Sequence, residues 1–391
     1  MGMDSKYVIL VVLIMFALTF DFTNGFHDTA NAMATSIATG ALKPRVAVAL
    51  SGVLNFLGAF LGLSVAATIA TGIVDAKVVT TTTVFAGLIG AITWNLLTWL
   101  LGLPSSSSHA IVGGTVGATL VQAGSSAVNG TGILSKVLIP AVASPIIAAT
   151  GATVAIWLSL KITRRNTDDF VKHGYRIGQI VSASMVSLAH GTNDAQKTMG
   201  IITLALITTG TVSAKAGTPL WVVAVCAGAI ALGTYTGGWR VIRTLGKGIT
   251  EITPQQGFAA ESISSSVILG ASHLGFAVST TQVTSGSVLG TGIGKGAEVR
   301  WGVAGQMVVA WLVTLPVAAA FGGAANAIAR TVGGVPGVLV TSVVAVGLFG
   351  YIYTLSRRQP IHADNVNAPI PRGARSALAI DREGEFVPVP A

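Results

Sequence analysis

Two short polar stretches carry the residues most able to do chemistry, and they match each other. The first, NGFHDTANAMAT from Asn24 to Thr35, holds Asp28 and Asn31. The second, HGTNDAQKTMGI from His190 to Ile201, holds Thr192, Asn193, Asp194 and Lys197. Aligned without gaps, Gly25 falls on Gly191, Asp28 on Asp194, Asn31 on Lys197 and Met33 on Met199. Oxygen donors of Asp, Asn and Thr suit a hard cation, and a carboxylate by itself suits a proton. Both stretches interrupt apolar sequence, where acids are costly and are normally turned toward a protein interior or a watery path. Two copies indicate a duplicated chain whose halves share one site.

A second pair of motifs supplies the opposite chemistry. Pro104 to Gly117 reads PSSSSHAIVGGTVG, and Val278 to Gly290 reads VSTTQVTSGSVLG. Ser106 aligns with Ser279, Ser107 with Thr280, Ser108 with Thr281 and His109 with Gln282, while Gly113 and Gly117 fall on Gly286 and Gly290. Ser and Thr favour helix N-caps. A helix starting in each motif would aim free backbone N–H groups and a partial positive dipole at the site, which binds anions without a dedicated cation. Two such ends from opposite halves would hold one tetrahedral oxyanion. Two bare carboxylates would repel that anion. A proton or sodium ion at each acid removes the repulsion, so anion and cation bind with the positive coupling that symport requires.

The rest of the chain must place these residues in a membrane. Only 9% of its residues are charged and its mean hydropathy is +0.73, against roughly 25% charged residues in soluble domains. The formal charge of +9 lies in loops and tail, the positive-inside pattern, and does not indicate nucleic acid. The lone Cys226 excludes an intrachain disulfide or a cysteine metal site. No HExxH, GxSxG or GxxxxGK[ST] pattern occurs, so an enzyme is not expected, nor is an enzymatic cofactor.

Apolar runs fall at 6–41, 45–72, 83–103, 104–123, 136–161, 177–209, 219–239, 257–273, 276–294, 300–323 and 336–356. They predict an all-α polytopic membrane protein of about 10–12 transmembrane helices. The first and sixth runs are expected to break at their polar motifs, and 104–123 and 276–294 to be broken crossings or re-entrant hairpins. Lys43 and Arg45, the cluster Lys161 to Arg176, Arg240 to Lys247, and Arg357 with Arg358 predict a cytoplasmic C-terminus and an external N-terminus. This gives a first repeat over 1–161, a basic cytoplasmic loop over 162–176, a second and inverted repeat over 177–356, and a disordered cytoplasmic tail over 357–391. No signal peptide is read in the first run.

GFHDTANAMAT and AHGTNDAQKTMG resemble the duplicated signature of the inorganic phosphate transporter (PiT) family, and His27 with Gln196 and Lys197 resembles its prokaryotic branch. The hydroxyl motifs are similar to the family's repeated Ser-Thr-Thr segments. The likeness spans about 7–356. It implies low-affinity phosphate uptake by cation-coupled symport across a bacterial inner membrane, with a homodimer as the unit and, in bacterial members, a divalent metal travelling with phosphate as a neutral complex. Residue by residue it implies Ser106, Ser107, Ser279 and Thr280 as phosphate ligands, with Ser108 and Thr281 adjacent. It implies Asp28, Asn31 and Asp194 as coupling-cation ligands, metal ligands if that cation is sodium, with Asn193 and Thr192 as weaker members. Lys197, standing where the first repeat has Asn31, is expected either to substitute for one cation, which favours a proton over sodium, or only to neutralise Asp194 structurally. Sulfate symport and an uncoupled anion channel are the alternatives.

Overall fold

The computed structural model describes residues 5–74, 79–213, 215–358 and 360–368. It is helical, and among the described residues β structure is limited to the isolated bridges Val74–Val128 and Thr250–Val299. The helices are α1 (Ser5–Ala38), α2 (Pro44–Gly58), α3 (Ser64–Gly72), α4 (Thr81–Leu100), α5 (Ser107–Ala123), α6 (Gly130–Ile133), α7 (Ile139–Thr163), α8 (Asp168–Thr208), α9 (Leu220–Thr236), α10 (Trp239–Arg243), α11 (Pro254–His273), α12 (Thr280–Lys295), α13 (Trp301–Val332) and α14 (Gly334–Ser356). Burial is inverted relative to a soluble protein. Val142, Ile146, Leu312 and Val343 are exposed on the outside, while Asp21, Asn24, Asp28, Asp194 and Lys197 lie inside. That arrangement suits a lipid solvent.

Among the described residues, five helical segments are long and apolar enough to cross a membrane, and α9 with the segment 239–248, bent by 60°, makes a sixth. This is fewer than the 10–12 expected. The 45–72 run is divided between α2 and α3, α5 and α12 have only 17 and 16 residues, and α8 buries a long polar face. The expected breaks at the polar motifs are not there: α1 and α8 run unbroken for 34 and 41 residues. Asp, Asn and His project from these helices without taking their backbone out of the helical ladder. Gly25 and Gly191, within those motifs, are where a neighbouring helix comes close. A Cβ at Gly25 would strike the carbonyl of Ile230 in α9, and one at Gly191 that of Asn55 in α2.

The non-helical backbone lies in the hydroxyl motifs. α4 packs along α5 and α11 along α12, each pair joined by a short turn, so the runs 104–123 and 276–294 are each one arm of a helical hairpin. Both turns carry a left-handed glycine at matching positions, Gly102 (φ 62°) and Gly275 (φ 74°), a conformation only glycine adopts without strain. The hairpins are clamped crosswise. α13 packs on α4 and α5, and α7 on α11 and α12. Gly117 abuts Ala319 of α13, as its counterpart Gly290 abuts Ala149 of α7.

The expected loop 162–176 is largely the first turns of α8, which begins at Asp168. Residues 360–368 turn back onto the end of α1, where Asn367 Nδ2 donates to Ile37 O at 3.1 Å and Val366 is buried. The rest of the expected tail, and residues 75–78 between the second and third apolar runs, lie outside the described residues.

Candidate functional site

Each hairpin tip ends in a capped helix start. Ser106 Oγ accepts from His109 N at 3.1 Å, and Ser279 Oγ accepts from Gln282 N at 3.2 Å. These aligned serines are N-caps, as their types predict. The amides of Ser107, Ser108, Thr280 and Thr281 sit in the first turns, where no helical carbonyl can serve them. Ser105 to Ser108 and Ser279 to Thr281 are all at most 2% exposed.

The continuous motif helices bring their acids to these tips. Ser107 Oγ donates to Asp28 Oδ2 at 2.9 Å. Thr281 Oγ1 donates to Asp28 Oδ1 at 3.4 Å. Thr280 Oγ1 stands between the two acids, 3.5 Å from Asp28 Oδ2 and 3.3 Å from Asp194 Oδ2. A hydroxyl has one proton to give, so Thr280 serves one carboxylate at a time. Asn31 Nδ2 donates to Thr280 Oγ1 and Thr281 Oγ1 at 3.1 and 2.9 Å, which turns both hydroxyl protons toward the acids. Its Oδ1 is buried without a hydrogen-bond partner. Oxygens of Asp28 and Asp194 and a ring nitrogen of His190 lie within 4.8 Å of one another. The donor set of two carboxylates, an amide oxygen and hydroxyls fits a hard cation or a proton.

The second motif is more fully committed than the first. Lys197 Nζ pairs with Asp194 Oδ1, both groups buried. His190 Nε2 lies 3.1 Å from Asp194 Oδ2, while its Nδ1 meets Asn55 Oδ1 at 2.7 Å. Asn193 Nδ2 donates to Asp194 Oδ1 at 2.8 Å and to Val278 O at 3.0 Å, and its Oδ1 accepts from Ser272 at 3.2 Å. Asn193 therefore orients Asp194 and ties α8 to the hairpin tip. Ser108 does the same from α5, donating to Val278 O at 2.9 Å. Thr192 is turned away, donating to Gly58 O and Leu188 O at 2.9 and 2.8 Å; the structure does not bring it to the acids.

Three groups near the site carry more than the sequence reading gave them. His27 Nδ1 meets Asp28 Oδ1 at 2.5 Å. Gln196 Oε1 accepts from Val65 N and Ala66 N at 2.9 and 3.2 Å, capping α3. Glu261 of α11, fully buried, accepts from Thr35 and Ser36 of α1 at 2.5 and 2.7 Å and from Ser182 and Gln179 of α8 at 2.5 and 3.3 Å. An acid inside an apolar run was the available signal; its four partners, spread over two distant helices, left none.

A buried polar centre between two hairpin tips, inside an apolar helical shell, defines a polytopic membrane transport protein. The chain belongs to the phosphate transporter family, whose profile matches residues 24–322. It is 58% identical over 94% of its length, and 88% of the relative's, to a protein of Mycobacterium bovis named "Probable low-affinity inorganic phosphate transporter". A Bacillus subtilis protein of the same name is 43% identical over 82% of this chain and 97% of that one. Among solved structures, "The sodium-dependent phosphate transporter" is similar at a TM-score of 0.76 and 26% identity, covering 83% of this chain and 99% of that one. The chain is a multi-pass membrane transporter and not an enzyme.

Proposed function

We propose that this chain takes up inorganic phosphate at low affinity by cation-coupled symport, with a proton favoured over sodium. One observation carries the reading: all four motif segments, far apart in sequence, meet at the two acids, with Thr280 within hydrogen-bond reach of both Asp28 and Asp194 and Ser107 donating to Asp28. Phosphate sits between the first turns of α5 and α12, held by the amides and hydroxyls of Ser107, Thr280 and Thr281. Ser106 and Ser279 hold those turns in shape. Asp28, with Asn31 beside it, takes the coupling cation, and Lys197 permanently neutralises Asp194. A protonated Asp28 donates to the oxyanion where an ionised one would repel it. Phosphate enters with or without a divalent metal as partner.

The two halves are read as inverted repeats that rock about this centre, exposing it to each side in turn. The proposed setting is the inner membrane of a bacterium, with the N-terminus outside, the C-terminus in the cytoplasm and two copies associated. Purified protein in liposomes tests coupling. An inside-alkaline pH gradient is expected to accumulate labelled phosphate without sodium, and a sodium gradient at equal pH is not. Accumulation under sodium alone would reverse the assignment of the cation. Uptake indifferent to both gradients would make the protein a channel, and equal competition by sulfate would widen the substrate to tetrahedral oxyanions.

A further inference from the structure

A second acid is buried on α1, seven residues before Asp28. That spacing puts it on the same helix face about 10 Å away, toward the N-terminal end. Asp21 is 0% exposed, and neither carboxylate oxygen has a hydrogen-bond partner. It faces the Thr198 hydroxyl of α8 and the free Cys226 thiol of α9. The Thr198 oxygen and both amide atoms of Asn24, one turn along α1, are also buried without partners. Such a cluster of unpaired polar groups is rare in a folded interior and calls for an occupant.

Among the described residues no cation pairs with Asp21. Of the helices packed on α1, α8 brings Asp194 and Lys197 into its field and α9 brings Cys226, but Lys197 is paired with Asp194. α4 has no titratable residue. The arginines of α10 lie beyond Phe26, and Glu261 of α11 meets α1 at Thr35 and Ser36, past Asp28. An ionised carboxylate without partners is intolerable in such a place, whereas a carboxylic acid is merely polar. The occupant that suits it best is a proton. A thiol is a poor ligand for a hard cation, and one acceptor oxygen is enough for an O–H donor.

We infer that Asp21 is a second proton-binding site, separate from the phosphate pocket, and that its proton is carried in addition to the one at Asp28 and adds to the driving force for transport. This rests on the proton-coupled reading above. The carboxylate receives one proton from water on the N-terminal side of α1 before phosphate enters. The lost charge lowers repulsion along the path to Asp28. In the opposite conformation the acid returns the proton to water on the other side, one for each phosphate carried.

The test uses the full chain, wild type and the variants D21N and D21E, in liposomes. Infrared titration of the protein without phosphate is expected to show a carboxylic acid carbonyl band at neutral pH in the wild type, displaced in D21E and missing in D21N. D21N, which mimics the protonated acid, is expected to exchange labelled for unlabelled phosphate at equal pH while reaching a several-fold lower accumulation than the wild type under the same pH gradient. D21E is expected to accumulate, with a shifted pH profile. An unchanged band in D21N, its displacement by sodium at constant pH, or undiminished pH-driven accumulation by D21N would overturn the inference. Loss of both exchange and accumulation, with the band already missing in the wild type, would overturn it too. Wild-type uptake indifferent to pH gradients would sink the coupling reading first, and this inference with it, before any variant is made.

Discussion

Lys197 gives the second repeat a fixed charge where the first has a neutral amide. Its ammonium and the Asp194 carboxylate form a buried pair one turn apart, and neither can lose the other cheaply. Lys197→Met is expected to destabilise the protein by about 3–5 kcal/mol, because it strands a buried carboxylate. Adding Asp194→Asn should recover most of that loss. Thermal unfolding of the purified single and double variants checks this, and a double variant no more stable than the single would remove the pair from the account. Asp28 is different in kind. Its charge is met by hydroxyls and a histidine, so Asp28→Asn should leave folding intact and abolish gradient-driven uptake. Normal accumulation by that variant would displace Asp28 from coupling.

At the scale of elements, the site depends on where α5 and α12 begin. Ser279→Ala removes an N-cap, worth about 1 kcal/mol, and Thr280→Ala removes the hydroxyl that reaches both acids. Together they should raise the half-saturating phosphate concentration about tenfold or more, the scale of losing a hydrogen bond to a charged group. Initial uptake rates measure this, and an unchanged value would argue against the α12 tip as a ligand. Ser106→Ala, at the matching position, should weaken binding in the same direction. The hairpins are held as firmly by packing as by caps. Gly290→Leu would drive a side chain into the Ala149 backbone of α7 and should cost about 1–3 kcal/mol or more, visible as a lower unfolding temperature. Gly228, where a Cβ meets nothing within 4 Å, is the control position.

Across the whole molecule, helices of one half clamp the hairpin of the other. α7 holds α11 and α12, and α13 holds α4 and α5. Glu261 adds a polar tie, joining α11 to α1 and α8 below the site. Glu261→Ala leaves four donors facing an empty space and should lower both stability and transport, with Glu261→Gln recovering part of each. Unfolding temperature and uptake read the two effects separately. Packed this way, each hairpin is tied to a long helix from the other half of the chain.

Much of this was written in the chain. The apolar composition fixed a helical membrane protein, since backbone groups in lipid must be satisfied within their own segment. The paired motifs fixed which residues gather, because Asp28 with Asp194 and Ser106 with Ser279 align by type and spacing. The serine caps were legible because capping is local. Tertiary structure decided the rest. Whether a glycine-bearing polar stretch breaks a helix depends on what packs against it, so α1 and α8 read as broken and fold as continuous rods. Asn55 finds His190 at a separation of 135 residues, and Glu261 finds Thr35 at 226. Asp21 is left by the helices around it with a hydroxyl and a thiol to face and no cation paired to it. Such outcomes depend on contacts between distant segments, which no local pattern encodes.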